Sequence, residues 1–197
     1  MAGTTENPGS ENMNPRDIGF WALVAEDLAT HQGRLFAQGF WALFWHRFGN
    51  WRMGVRIKPL RIPLTLIYRV MHKMTQWLCG IDLPYTVIVG RRVTLEHFGG
   101  MILIAHEIGD DVTIRQNTTF GILGPEVPFG RPKIGRGVQI GTGAVIVGDV
   151  TIGEGARIGA NAVVLQDVPP GVSVGGVPAR VLGKASAPPV LRDGTHD

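Results

Sequence analysis

A chain of 197 residues supplies one sizeable core with room for a smaller appendage. Its single cysteine, Cys79, excludes an intrachain disulfide and fits a reducing compartment, so a cytoplasmic protein is expected. The formal charge of +3 is modest and no nucleic-acid partner is expected, but the charge is unevenly placed: no Asp or Glu occurs between Asp27 and Asp82, where Arg34, Arg47, Arg52, Arg56, Lys58, Arg61, Arg69 and Lys73 all lie. Such a run suits either a solvated basic face or contact with an anionic surface, of lipid headgroups or phosphorylated ligands.

Residues 1–16 are polar and rich in Gly, Pro and Asn, lack the basic start and apolar core of a signal peptide, and are expected to be disordered. Residues 17–80 read as a helical domain. Trp21, Val24 and Leu28 fall at helical spacing and place a short helix from Asp17 to about Ala29. A second helix, Leu35 to Trp51, is dense in aromatics. Phe36, Phe40, Trp41, Phe44, Trp45, Phe48 and Trp51 recur at three- and four-residue steps, a pattern of helix packing more than of a cofactor box. After Pro59 and Pro63 a third helix is expected over roughly Leu64 to Leu78. Arg69, His72 and Lys73 interrupt its apolar run, so it is too short and too charged to span a bilayer comfortably. Its mix of aromatic and basic residues leaves peripheral contact with the inner face of a membrane open.

From Val87 a different rhythm takes over. Val89, Leu95 and Met101 are spaced by six; one extra residue shifts the phase, and Ile108, Ile114 and Phe120 resume it. From Ile134 the count is strict: Ile134, Ile140, Ile146, Ile152, Ile158 and Val164, with Val138, Ala144, Val150, Ala156, Ala162 and Val168 four residues after each. Neither a helix nor a strand generates a period of six. A parallel β-helix does, because each coil has three flat faces of about six residues, each sending one aliphatic inward. A β-sandwich would not hold so strict a period. Two residues beyond two full repeats separate Phe120 from Ile134, which places an expelled loop in GILGPEVPFGRPK. The coil domain is expected over residues 81–184 and a disordered tail over residues 185–197.

Against this apolar background the reactive groups are Asp82, Glu96, His97, His106, Arg115 and Arg131. Histidine is the natural general base near neutral pH, and a carboxylate can fix its tautomer. Asp82 and His97 are fifteen residues apart, close to one coil, so the spacing allows them to lie nearly above one another.

Three stretches carry a resemblance. GIDLPYTVIVGRRVTLEHFGG, IGDDVTIRQNTTFG and RPKIGRGVQIGTGAVIVGDVTIGEGARIGANAVVLQDVPPGVSVGGVPAR, spanning about residues 80 to 184, resemble the serine O-acetyltransferase family and its exopolysaccharide-associated relatives, and HRFGNW echoes a stretch of that family's helical domain. The resemblance implies a mainly β protein, a left-handed parallel β-helix of hexapeptide repeats with an N-terminal α-helical part. It implies a homotrimer, or a hexamer paired through the helical part, and acetyl-CoA as acyl donor without a metal. Position by position, it makes His97 the catalytic base, Glu96 its acidic neighbour and Asp82 the carboxylate that orients it. Gly121, Thr142 and Ala160 fall on positions lining the CoA groove.

Two departures bear on the acceptor. The family's second histidine is Arg131 here, preceded by Gly130 in place of an arginine, and an acidic substrate-binding loop near the N-terminus has no counterpart. Arg131 remains a candidate for binding an anionic group of the substrate. The expected activity is therefore acetyl-CoA-dependent O-acetylation of a sugar or exopolysaccharide precursor, with serine acetylation for cysteine synthesis as the alternative. A metal-dependent hydratase on the same coil would need a third histidine near His97 and His106, and residues 107 to 180 contain none. A non-catalytic assembly subunit is the remaining alternative, and the presence of both His97 and Asp82 speaks against it.

Overall fold

The computed structural model describes residues 9–122 and 130–185. Three helices precede a three-sided coil: α1 (Phe20–Thr30), α2 (Gln38–Trp51) and, after a 3-10 turn at Arg52–Gly54, α3 (Lys58–Cys79). The expected helices α1 and α2 each begin three residues later than their apolar spacing suggests, α1 because residues 16–18 form a turn and bend and α2 because turns occupy residues 31–36. By contrast, α3 begins six residues earlier than expected. Pro59 sits in its first turn, where the missing N–H costs nothing, and Pro63 follows one turn on. Gly80, at φ 63°, ends α3 in the left-handed conformation that suits glycine best.

The coil begins at once, earlier than the six-residue pulse reveals. Its first face is β1 (Ile81–Asp82), β4 (Met101–Leu103), β7 (Thr119–Gly121), β10 (Val145–Val147) and β13 (Val163–Val164). The second is β2 (Ile88–Val89), β5 (Glu107–Ile108), β8 (Lys133–Ile134) and β11 (Thr151–Ile152). The third is β3 (Thr94–Glu96), β6 (Thr113–Arg115), β9 (Gln139–Ile140), β12 (Arg157–Ile158) and β14 (Val172–Gly175), and it is closed by β15 (Arg180–Lys184). All pairings are parallel except β14 with β15.

Register stacks like on like. Val89, Ile108, Ile134 and Ile152 form one inward column, and Leu95, Ile114, Ile140, Ile158 and Val174 another. The third column is Leu103, Phe120, Ile146 and Val164, and every member of all three is buried. The phase shift read near Met101 lies at β4, where both Met101 and Leu103 point inward around an outward Ile102; Ile81 stacks on Met101 and Phe120 on Leu103. Corners are tight enough that a Cβ on Gly141 would stand 2.6 Å from the Ala160 nitrogen of the next coil.

The helices are locked to the first coil by α2. Arg47 is fully buried, pairs with Asp27 of α1 at 3.0 Å, and donates to the carbonyls of Val89 and Gly90 at 2.7 and 2.6 Å. In the same HRFGNW stretch His46 Nδ1 lies 3.2 Å from the Pro84 carbonyl, and Asn50 donates to the Tyr85 carbonyl at 2.9 Å. Burial pushes the His46 imidazole well below its ordinary pKa and keeps it neutral. His31 Nδ1–H donates to the Asp27 carbonyl and Nε2 accepts the Leu95 N–H, which fixes one neutral tautomer. The aromatic ladder expected of α2 packs as helix packing, with Phe44 touching Phe20 of α1 as well as Phe40, Trp41 and Trp45.

Of residues 1–16, expected to be disordered, residues 1–8 lie outside the described residues and residues 9–16 are described. They lie against this helical part, with Asn14 buried and donating to the Arg47 carbonyl, and Met13 donating its N–H to Asn50. Polar composition misleads here because the segment is held by hydrogen bonds rather than by apolar burial. The expected tail lies outside the described residues from residue 186 on.

Removing one half of the Arg47–Asp27 pair strands a buried charge, so Arg47→Met is expected to destabilise the fold by about 3–5 kcal/mol. Arg47→Met combined with Asp27→Leu is expected to recover most of that loss. Chemical denaturation of the three proteins checks both.

Candidate active site

His97 owes its position to a count. Eight residue steps lead from inward Leu95 to inward Leu103, where the following coils need only six, from Ile114 to Phe120 and from Ile140 to Ile146. The surplus is pushed out at the corner between the third and first faces, and His97 and Phe98 are exposed there. His97 has φ 66°, a conformation uncommon outside glycine although histidine tolerates it better than most side chains. The corner is anchored at its far end, where Gly99 N–H donates to the Cys79 carbonyl at 3.0 Å and Met101 N–H to the Gly80 carbonyl at 2.9 Å. The His97 corner therefore lies against the end of α3, two to three residues before Asp82.

Asp82 is half-buried on the outer side of the first face, but its carboxylate is not bonded to His97. His72 Nε2 lies 3.2 Å from Asp82 Oδ1, and Gln76 Nε2 donates to the same oxygen at 2.9 Å. The His72 hydrogen bond, with the Gln76 bond after it, holds the Asp82 carboxyl below its usual pKa range against the opposing effect of burial. Glu96 is likewise engaged elsewhere. It faces Arg115 one coil away and pairs with its Nε at 2.9 Å. Among the described residues the His97 side chain has no hydrogen-bond partner. Spacing along the chain gives no sign of His72 and Gln76 beside Asp82; the available signal is their i, i+4 placement on one side of α3.

Thr142 and Ala160 occupy the same corner as His97 on later coils, one coil apart, since Asn161 N–H donates to the Thr142 carbonyl at 2.8 Å. Neither the Thr142 nor the Ala160 N–H finds an acceptor among the described residues. The two amides stack one coil apart, about 4.8 Å, on one edge beside small side chains. Gln116 sits on this edge between them and His97, and its buried Oε1 has no partner among the described residues. Sequence reading passed over it. Gly121 ends β7 on the first face, and among the described residues a Cβ there would meet only Val147, at 4.0 Å.

Arg131 lies elsewhere. It leads into β8 at the opposite edge of the first face, next to His106, whose N–H donates to the Pro132 carbonyl at 2.9 Å. The length of a three-residue strand, about 10 Å at roughly 3.3 Å per residue, separates that edge from the His97 edge. One chain does not bring Arg131 and His97 together. Phe98 is 60% exposed beside His97, while Phe129, the other aromatic suited to stacking on a sugar, lies outside the described residues. Among the described residues no group of three His, Cys, Asp or Glu side chains is arranged to hold a metal ion.

Comparison with known proteins gives this geometry a context. Residues 131–166 match the family model of the bacterial transferase hexapeptide (six repeats). A serine acetyltransferase of Mycobacterium tuberculosis is 37% identical over 154 residues, 77% of this chain and 63% of that protein. A putative colanic acid biosynthesis acetyltransferase, WcaB, of Escherichia coli is 36% identical over 90 residues, 45% of this chain and 53% of that protein. The chain thus spans between about half and two thirds of the curated relatives it matches. Among solved structures, soybean serine acetyltransferase complexed with serine superimposes with a TM-score of 0.69 at 31% identity, covering 83% of this chain and 69% of that one. A serine acetyltransferase in complex with CoA gives 0.67 at 27%, with the same coverages. The coil is accordingly a left-handed parallel β-helix, and the chain belongs to the serine acetyltransferase family of hexapeptide-repeat acyltransferases.

Proposed function

We propose that the chain transfers the acetyl group of acetyl-CoA to a hydroxyl, with the expelled His97 corner as the reacting centre. The observation that carries this reading is the single edge on which His97, the orphaned Gln116 Oε1 and the free amides of Thr142 and Ala160 follow one another. The donor's pantetheine arm would run along that edge, its amides held at Thr142 and Ala160, with Gly121 leaving room beside it. The His97 imidazole takes the proton of the acceptor hydroxyl while the oxygen attacks the thioester carbonyl, and a backbone N–H steadies the oxyanion. The carbon–sulfur bond then breaks, and the CoA thiolate leaves, taking back the proton from the imidazolium. Asp82 supports the imidazolium, and Glu96, tied to Arg115, contributes charge at the same corner.

The opposite edge of the first face carries Arg131. A homotrimer that sets this edge of one copy against the His97 edge of the next would complete the site between chains. For the acceptor we favour a sugar hydroxyl, as on an exopolysaccharide precursor. The family's Arg-His pair is Gly130-Arg131 here, so an amino-acid acceptor would leave a charge without its partner, at a cost on the order of a thousandfold in specificity. The likeness to a putative colanic acid biosynthesis acetyltransferase supports that choice. Serine is the second reading, favoured by the longer match to the serine acetyltransferase of M. tuberculosis and by Arg131, a partly buried residue whose guanidinium can pair with a carboxylate. On α3, Ile62, Leu66, Val70 and Trp77 form an exposed apolar stripe flanked by Arg69 and Lys73, with no acidic residue in the helix. That stripe supports peripheral contact with an anionic lipid surface at the cytoplasmic face, where lipid-linked sugars are presented. No described helix is long and apolar enough to cross a membrane.

The acceptor is tested by steady-state release of CoA with serine and with nucleotide- and lipid-linked sugars. A sugar is expected to give the higher kcat/KM; a serine value of about 10⁴ M⁻¹s⁻¹ or more would sink the sugar reading. His97→Ala is expected to lower kcat about a hundredfold or more while leaving the Kd for CoA unchanged by calorimetry. A folded variant with near-normal kcat would remove His97 from the base role. Asp82→Asn is expected to show a milder loss in the same assay.

A further inference from the structure

Both donors that reach Asp82 converge on Oδ1, and both come from α3. His72 Nε2 lies 3.2 Å from that oxygen and Gln76 Nε2 2.9 Å from it, while Oδ2 has no partner among the described residues. The donors are themselves held. The His72 ring stacks on Tyr68 with centroids 5.4 Å apart and planes 16° apart, and Tyr68 is buried under the Arg52 guanidinium, 4.7 Å from its ring centre. Lys73 Nζ donates to Gln76 Oε1 at 2.6 Å, which turns the Gln76 amide so that its NH₂ group faces Asp82. Gln76 Nε2 also lies 3.3 Å from His72 Nε2, so the three side chains form one closed contact.

A carboxylate on a two-residue strand, one-third exposed, would otherwise rotate freely about its Cα–Cβ bond. Two donors on one oxygen remove that freedom and leave the other oxygen as the acceptor for the group across the corner. We propose that His72, together with Gln76, is a positioning residue for the reaction: it pins Oδ1 of Asp82 so that Oδ2 is presented to the imidazole of His97. This rests on the reading of Asp82 and His97 given above. It adds that α3, and not the coil alone, sets the geometry of the base. The lowered carboxyl pKa of Asp82, traced first to His72, agrees with the same contact.

The test uses two replacements that separate the hydrogen bond from the packing. His72→Gln keeps a donor at the place of Nε2, whereas His72→Phe keeps the stack on Tyr68 and removes the donor. His72→Phe is expected to lower kcat about tenfold or more with the KM for acetyl-CoA unchanged, and His72→Gln to stay within about twofold of the parent. In an Asp82→Asn background His72→Phe is expected to add nothing further, since both act through one carboxylate. A full kcat in His72→Phe, equal damage in His72→Gln, or additive losses in the double variant would each overturn the proposal. Carboxyl ¹³C titration of Asp82 gives a readout that needs no acceptor. The Asp82 pKa is expected to rise toward the ordinary aspartate value in His72→Phe and to stay lowered in His72→Gln; no rise in His72→Phe overturns the proposal. Failure of the wider reading looks different: no acetyl transfer by the parent protein, or a full kcat in Asp82→Asn, with the titration shift intact.

Discussion

Everything in this molecule follows from the narrow interior of the coil. Three faces close around a space filled by the three inward columns of Val, Ile, Leu and one Phe, with Met101 beside Leu103 and small residues such as Val138, Ala144, Ala156 and Ala162 buried between them. No charged group can enter such a space without a partner, so chemistry is confined to the outer faces, the corners and whatever the coil expels. His97 is where it is because two residues more than the interior accepts lie between Leu95 and Leu103. The proposed base is thus a by-product of packing arithmetic, presented on a corner that cannot move inward.

The second constraint is the way the helices are fastened. Arg47 satisfies two carbonyls at the first corner of the coil while neutralising Asp27, and His46, Asn50 and His31 add contacts to the same coil. Buried polar bonds of this kind are specific in direction, unlike apolar contacts, and they fix how α2 sits on the coil. α3 packs on α2, with Tyr68 filling the space that Gly49 leaves open, and ends at the Gly80 turn directly before β1. The placement of His72 over Asp82 thus descends from Arg47 through two packed helices.

Much of this was legible in the residues. The period of six marked every inward column, because a rigid interior selects aliphatics at fixed steps. The helices were visible from their apolar spacing, though their starts were not: Pro63 hid the first turns of α3, which proline tolerates near an N-terminus. The family resemblance pointed to His97, Thr142 and Ala160, and the fold sets these three on one edge. The partners of the carboxylates could not be read. Asp82 looked free to meet His97, and Glu96 to support it, but sequence spacing says nothing of α3 lying alongside β1 or of Arg115 stacking one coil beyond Glu96. Gln116 was invisible for a simpler reason, since an unpaired buried oxygen is a property of packing. Arg131 could be placed on the coil but not on an edge, because the loop before it breaks the count.

Acetyl transfer is proposed on the edge between the third and first faces, with the thioester at His97. A crystal structure of the protein with CoA tests it most directly. The expected result is the pantetheine arm along that edge, its amide carbonyls on the Thr142 and Ala160 N–H groups and its sulfur beside the His97 imidazole. CoA bound along either of the other two edges, or with its sulfur remote from His97, would contradict it.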